Sequence, residues 1–129
     1  MNSPFLRRAL LLDAVATGAT GLLMLAAAGI LQELLQVPGS LLREAGIILL
    51  PFAAVVLYLG TRERPSERAV ATVIVINVLW VLASFGLLVS GAISPNILGY
   101  GFIVMQAVAV AVFAELQYVG LRRKRAAAA

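Results

Sequence analysis

Between Arg68 and Glu115 the chain runs for 46 residues, Ala69–Ala114, without a charged side chain. Two shorter uncharged runs precede it, Ala14–Gln32 and Ala45–Thr61, and the brief Leu116–Leu121 follows. A chain of 129 residues has too small an interior to hide such stretches from water. Apolar residues make up 62% of it and charged residues 12%. Soluble domains average about 45–50% and about 25%. An ordinary soluble domain, a disordered chain and a nucleic-acid module are excluded on these grounds. The medium that suits this sequence is hydrocarbon.

A transmembrane helix takes about 20 mostly apolar residues. The first two runs each supply one. The third is too long for a single span and contains Ser94-Pro95-Asn96, which turns the chain, so it supplies two. The expected fold is all-α, an integral membrane four-helix bundle of up-down-up-down topology within one domain, residues 1–125. The spans are expected near 9–31, 43–61, 69–91 and 98–120, inside helices near 4–36, 41–61, 67–92 and 95–123. Strands fit poorly, because the apolar runs are long and do not alternate. Ser3-Pro4 and Ser94-Pro95 read as an N-cap followed by proline at the first helical position. Ser66 before Glu67 reads as a cap with an acid in the first turn, and Ser40 as the residue that starts the second helix. Pro51, inside that helix, is expected to kink it. Arg7-Arg8 before an apolar run imitates a signal peptide, but Asp13 interrupts the run and three more spans follow, so a first helix is expected instead. Ala126–Ala129 reads as a tail, native or a cloning scar.

The charges set an orientation. Arg7, Arg8, Arg62, Arg64, Arg68, Arg122, Arg123, Lys124 and Arg125 fall on one side of this topology, and Arg43 alone on the other. Short loops rich in Lys and Arg stay in the cytoplasm, which puts both termini there, in a bacterial inner membrane. The pI of about 10.4 is then topogenic, with attraction to anionic lipid as a by-product, and calls for no nucleic acid.

The two halves carry a weak internal repeat. Asp13, Ala19, Thr20 and Leu23 fall on Asn77, Ala83, Ser84 and Leu87 at a shift of 64. Tyr58-Leu59-Gly60-Thr61-Arg62 falls on Tyr118-Val119-Gly120-Leu121-Arg122 at a shift of 60. Two tandem hairpins related by an axis along the membrane normal would give this pattern. Placement rules for interfacial Tyr and flanking Arg would also give the second match.

Polar groups inside the spans each need an account, because lipid offers no hydrogen-bond partner. Asp13, Thr17, Tyr58, Asn77, Glu115 and Tyr118 all fall in the half nearer the basic loops, and they form the candidate polar pocket. In the competing reading Asp13 and Glu115 snorkel to the interface and pair with Arg8 and Arg122, while Asn77 bridges two helices. On the first helix Asp13, Thr17, Thr20, Gly21 and Met24 share one face. With Ala14 and Gly18 beside it that face is small and polar, so Ala14, Gly18 and Gly21 are the expected helix-packing residues. On the last helix Gln106, Val110, Phe113 and Gln117 share a face that lies about 180° from Glu115 at about 100° per residue. Gln106 and Glu115 therefore cannot both point into one core. One of them must meet lipid, the interface or another subunit. Trp80 reads as packing, and Arg43 as a surface partner of Glu33 or Glu44.

The chain has no Cys and no His, so thiol chemistry, the usual zinc sites and His-ligated haem are out, and no metal or cofactor is expected. No nucleophile–base arrangement is apparent, and no enzyme activity is expected. The size, the four spans and an acidic residue in the first helix, Asp13, resemble the small multidrug transporters, but the family's remaining motifs are missing, and the Lys/Arg asymmetry opposes its dual topology. Three functions stay open. One is a non-catalytic membrane protein acting as a homo-oligomer or as an accessory subunit of other membrane proteins. Another is a small solute or proton-coupled transporter using Asp13, Asn77 and Glu115. The third is a protein that binds lipid or another apolar ligand between its helices.

Overall fold

The computed structural model describes residues 4–128. The helices are α1 (Pro4–Ala26), α2 (Ala28–Leu35), α3 (Gly39–Thr61), α4 (Glu67–Ser90) and α5 (Ile97–Ala128), and no strand occurs among the described residues. Four of them, α1, α3, α4 and α5, are long and apolar enough to cross a membrane. At about 1.5 Å per residue the 23 residues of α1 span about 35 Å, enough for a hydrocarbon core of about 30 Å. The chain is a multi-pass membrane protein built as a four-helix bundle, with α2 prolonging the first long helix.

The connections bring the start of α1, the end of α3, the start of α4 and the end of α5 to one end of the bundle, here the basic end. Three contacts close it. Arg7 Nε donates to the Gly60 carbonyl at 3.4 Å, Lys124 Nζ donates to the Pro65 carbonyl at 2.8 Å, and the Arg123 guanidinium lies 4.7 Å from the centre of the Phe5 ring. Beneath them Leu6, Leu10, Val56, Leu59, Val70, Val73 and Leu121 form one buried cluster drawn from all four long helices. A second cluster at the opposite end joins Met24, Leu31, Leu35, Leu42, Leu49 and Ile103.

The helices form a ring that is not evenly closed. α1 packs against α3 on one side and α5 on the other, and α4 packs against α5, while α3 and α4 barely touch. Their seam is shut at the basic end, where Val56 and Leu59 meet Val70 and Val73, and open toward the opposite end.

Several boundaries differ from those the sequence suggests, for identifiable reasons. The first helix does not run unbroken from 4 to 36. It bends at Ala27 (φ −111°, ψ 24°), which lets Leu31 and Leu35 of α2 fold over the end of the bundle. The bend is cheap, because Ala27 still donates to the Leu23 carbonyl and accepts from the Leu31 N–H, each at 2.9 Å. Ser40 does not start α3. The Gln32 side chain reaches across from α2 and accepts from the Gly39 N–H at 2.7 Å, which caps the helix one residue earlier. Gly39 allows this approach, since a Cβ there would collide with Gln32 Oε1. Ser94-Pro95 does not open α5 either. Asn96 does, accepting from the Gly99 N–H at 2.9 Å while its own Nδ2 donates to the Leu34 carbonyl at 2.8 Å. Ser66 caps α4 as expected, accepting from the Ala69 N–H at 3.3 Å. Ser3, the expected cap of the first helix, lies outside the described residues. Pro51 sits on an exposed face of α3, which is a single helix throughout.

The expected small face of α1 points inward. Ala14 is buried, Gly18 faces the Ala53 methyl at ordinary contact distance, and Gly21 meets α3 at its closest crossing. A Cβ on Gly21 would stand 2.9 Å from Leu49 Cβ, and one on Gly46 would stand 2.6 Å from the Gly21 carbonyl oxygen. Backbone against backbone, this crossing replaces hydrophobic attraction with close dispersion contact. Gly46→Ala is therefore expected to destabilise the bundle by about 1–3 kcal/mol in a detergent unfolding titration, as overpacking does. Gly86→Ala is the control. Its Cβ would meet nothing within 4 Å, and its stability is expected to hold or rise by up to about 1 kcal/mol.

Candidate functional site

Asp13 sits on the inward face of α1 with no accessible surface. Three neutral donors surround its carboxyl. Thr17, one turn further along α1, donates its hydroxyl to Oδ1 at 2.7 Å. Asn77 Nδ2 of α4 donates to Oδ2 at 2.9 Å, and Gln117 Nε2 of α5 donates to the same oxygen at 2.7 Å. Asn77 Nδ2 also donates to Gln117 Oε1 at 3.1 Å, which closes a ring of three side chains. Asn77 and Gln117 are themselves buried, at 2% and 0% exposure, so the carboxyl they enclose is sealed from lipid and water alike. Among the described residues no buried side-chain nitrogen or oxygen lacks a partner. The sequence supplies such a group because Asp13, Asn77 and Gln117 each fall on the inward stripe of a different helix at the same depth.

A second polar group lies farther from the basic end. Trp80 Nε1 of α4 donates to Gln106 Oε1 of α5 at 2.7 Å. Gln106 Nε2 donates to Ser84 Oγ at 3.0 Å and to the Ile103 carbonyl at 2.8 Å. Ser84 in turn donates to the Trp80 carbonyl at 2.8 Å. Together the two groups stitch α4 to α5 along its length, and the Asp13 ring adds α1.

The open part of the α3–α4 seam is a cleft beside these groups. Its largest cavity, about 310 Å³, is lined by Leu41, Leu42, Ala45 and Ile48 of α3, by Trp80, Ala83, Ser84 and Leu87 of α4, and by Met24, Phe102, Ile103 and Gln106. Glu44 stands at its rim. Nearer the basic end a smaller cavity of about 180 Å³ is lined by Ile48, Leu49 and Phe52 of α3 together with Trp80, Asn77 and Thr17. The walls are apolar apart from Glu44, Ser84, Gln106, the Trp80 indole N–H and, at the inner end, the outer edge of the Asp13 ring.

Of the six residues expected to share a polar pocket, the structure brings together Asp13, Thr17 and Asn77. Tyr58, Glu115 and Tyr118 stay apart from them. Tyr58 and Tyr118 are 60% and 51% exposed, and each carries an arginine over its ring, Arg62 at 5.3 Å and Arg122 at 5.7 Å. Glu115 is exposed on the outer face of α5. Its position about half a helical turn around from Gln106 sends it outward once Gln106 turns in to meet Trp80 and Ser84. Neither expected snorkelling pair forms. Asp13 is enclosed by amide and hydroxyl donors instead of meeting Arg8, and Arg122 stacks on Tyr118 instead of meeting Glu115. Arg43 pairs with neither Glu33 nor Glu44. Gln117 is the member that the pocket reading missed. Its signal was present, since it shares a face with Gln106, Val110 and Phe113 and stands at Asp13's depth. Trp80 does more than pack, because its N–H anchors Gln106.

Comparison with family models, with curated proteins and with solved structures finds no match to this chain. What the site does is read from its own geometry.

Removing the Asp13 acceptor orphans three donors in a medium that offers no replacement. Asp13→Leu is expected to cost about 2–4 kcal/mol of bundle stability, read by detergent unfolding. Asp13→Asn keeps one acceptor for Asn77 and Gln117 and turns its amide toward the Thr17 hydroxyl, so its cost is expected at about 1 kcal/mol or less. Equal losses for the two variants would show that the hydrogen bonds do not hold the helices.

Proposed function

We propose that this protein is a non-catalytic membrane protein that holds an apolar molecule drawn from the bilayer in the cleft between α3 and α4. One observation carries the reading: the seam that should close the ring is open around a cavity of about 310 Å³. Binding pockets for small ligands begin at about 300 Å³, are mostly apolar and carry a few placed polar groups, and the interior of a helix bundle is a usual place for them. Here the polar groups are the Trp80, Ser84 and Gln106 trio along one wall and Glu44 at the rim. An acyl or isoprenoid chain lying between α3 and α4 would cover the apolar wall and keep any polar head near Glu44.

The transporter reading has less support. It needs Asp13, Asn77 and Glu115 along one path, yet Glu115 lies on the outer face of α5 while the other two are sealed in the ring. The Asp13 group supports a structural role, in which it fixes the wall against which the cleft is measured.

We further propose a bacterial inner membrane with both termini in the cytoplasm. The gathering of nine of the ten basic residues at one end supports this orientation. Tags at either terminus are expected to react with membrane-impermeant reagents only after the cells are opened. Labelling of either in intact spheroplasts would reverse the orientation.

The chain has a single tryptophan, and it lines the cleft. In vesicles containing lipids with brominated acyl chains, Trp80 fluorescence is expected to be quenched strongly. Ala45→Phe, which fills the cleft from α3, is expected to reduce that quenching and the lipid that co-purifies with the protein. Quenching unchanged by Ala45→Phe, with no retained lipid or other apolar molecule by native mass spectrometry, would remove this reading.

A further inference from the structure

A second surface, on the far side of α4 and α5 from the cleft, carries its own chemistry. The two helices leave a shallow groove of about 480 Å³ between them, lined by Ile74 and Val78 of α4 and by Ala111, Ala114, Glu115 and Tyr118 of α5. Glu115 and Tyr118 are one turn apart on the same face. Among the described residues neither the Glu115 carboxyl nor the Tyr118 hydroxyl has a hydrogen-bond partner, for Arg122 meets Tyr118 only over the face of its ring. The groove thus presents an unmatched acceptor and an unmatched donor, one helical turn apart, on the outer face of α5. They stand beside two alanines small enough to let another helix approach.

We infer that a second copy of this chain covers the groove, with the Tyr118 hydroxyl of each copy donating to the Glu115 carboxyl of the other. The surface is complementary to itself: a two-fold axis pairs donor with acceptor twice, as an isologous interface requires. The topology permits it. The basic residues of every copy gather at one end, so all copies insert the same way up, and a two-fold axis along the membrane normal sets their Glu115 and Tyr118 side chains at matching depth. The exposed Tyr118 ring, with the Arg122 guanidinium 5.7 Å from its centre, has the bulk to enter the partner's groove over Ala111 and Ala114. This contact uses no residue of the α3–α4 cleft and stands independently of what the cleft binds.

The chain lacks cysteine, so single-cysteine variants report contacts without interference. In native membranes Ala111→Cys is expected to form a disulfide-linked dimer under mild oxidation. Val15→Cys, on an equally lipid-facing position of α1, is expected to stay monomeric. In the Ala111→Cys background, Tyr118→Phe and Glu115→Ala are each expected to lower cross-linking about tenfold, because each breaks both symmetric bonds. Glu115→Gln keeps the acceptor and is expected to retain the dimer. All three side chains are exposed, so these variants are expected to fold as the parent does. Four results would overturn the inference: no cross-link at Ala111, equal cross-linking at Val15, a dimer indifferent to Tyr118→Phe and Glu115→Ala, or cross-linking of Ala111→Cys to a different protein only.

Discussion

Hydrocarbon offers a polar side chain nothing to bond, and the whole bundle is arranged around that fact. Asp13 is the severest case, and it is met by bringing a hydroxyl from its own helix and one amide each from α4 and α5 to a single point. Those amides bond to each other as well as to the carboxyl, so three helices are fixed in rotation and depth at once. The remaining long helix, α3, takes no part. It is held to α1 by the opposite device, the near contact of Gly21 and Gly46, where the absence of side chains lets backbones touch. Two kinds of adhesion therefore divide the ring. The one pair of neighbours joined by neither beyond the basic end is α3 and α4, and that is where the cleft lies.

The positions paired by the weak repeat differ in a way that bears on this asymmetry. Asp13 and Asn77 occupy corresponding positions and bond directly to each other near the middle of the bundle. The corresponding Tyr58–Arg62 and Tyr118–Arg122 pairs adopt the same stacked arrangement at the basic end. The partner of Gln117 at a shift of 60 is Leu57, which is 46% exposed and has no amide to offer. The partner of Gln106 at the same shift is Gly46. One hairpin closes through amides and the other through glycines. The bond that Gln117 makes across the α1–α5 seam has no counterpart across α3–α4.

Much of this was legible in the residues before any coordinates. Uncharged runs and turn residues fix the four spans, since hydrocarbon thickness sets helix length. Helical phase correctly turned Asp13, Thr17 and Gly21 inward, and it showed that Gln106 and Glu115 must part company. Phase could not say which of those two faced in. That choice depends on Trp80 and Ser84, which lie on another helix and whose register becomes known only once α4 and α5 are packed. Tyr58, Glu115 and Tyr118 share Asp13's depth but not its direction, and depth was the stronger signal in the sequence. The caps at Gly39 and Asn96 were hidden for a related reason, because their partners, Gln32 and the Leu34 carbonyl, come from a helix that had to bend at Ala27 to reach them.

That bend has a mechanical consequence. At the end away from the basic loops, Gln32 is tied to the start of α3, and Asn96, through its side chain and its N–H, is tied to the last carbonyls of α2 just before α5 begins. The tips of α2, α3 and α5 are thereby sewn into one plate. α4 leads into that plate through Gly91, which takes a left-handed turn (φ 74°) in an exposed loop, while Leu88 and Ile93 pack against the cluster of Leu35, Leu42 and Ile103. If the mouth between α3 and α4 widens or narrows, α4 does not swing alone: the Trp80, Ser84 and Gln106 bonds make it travel with α5, whose tip the plate anchors, so the hinge falls on α5 and not on the rim.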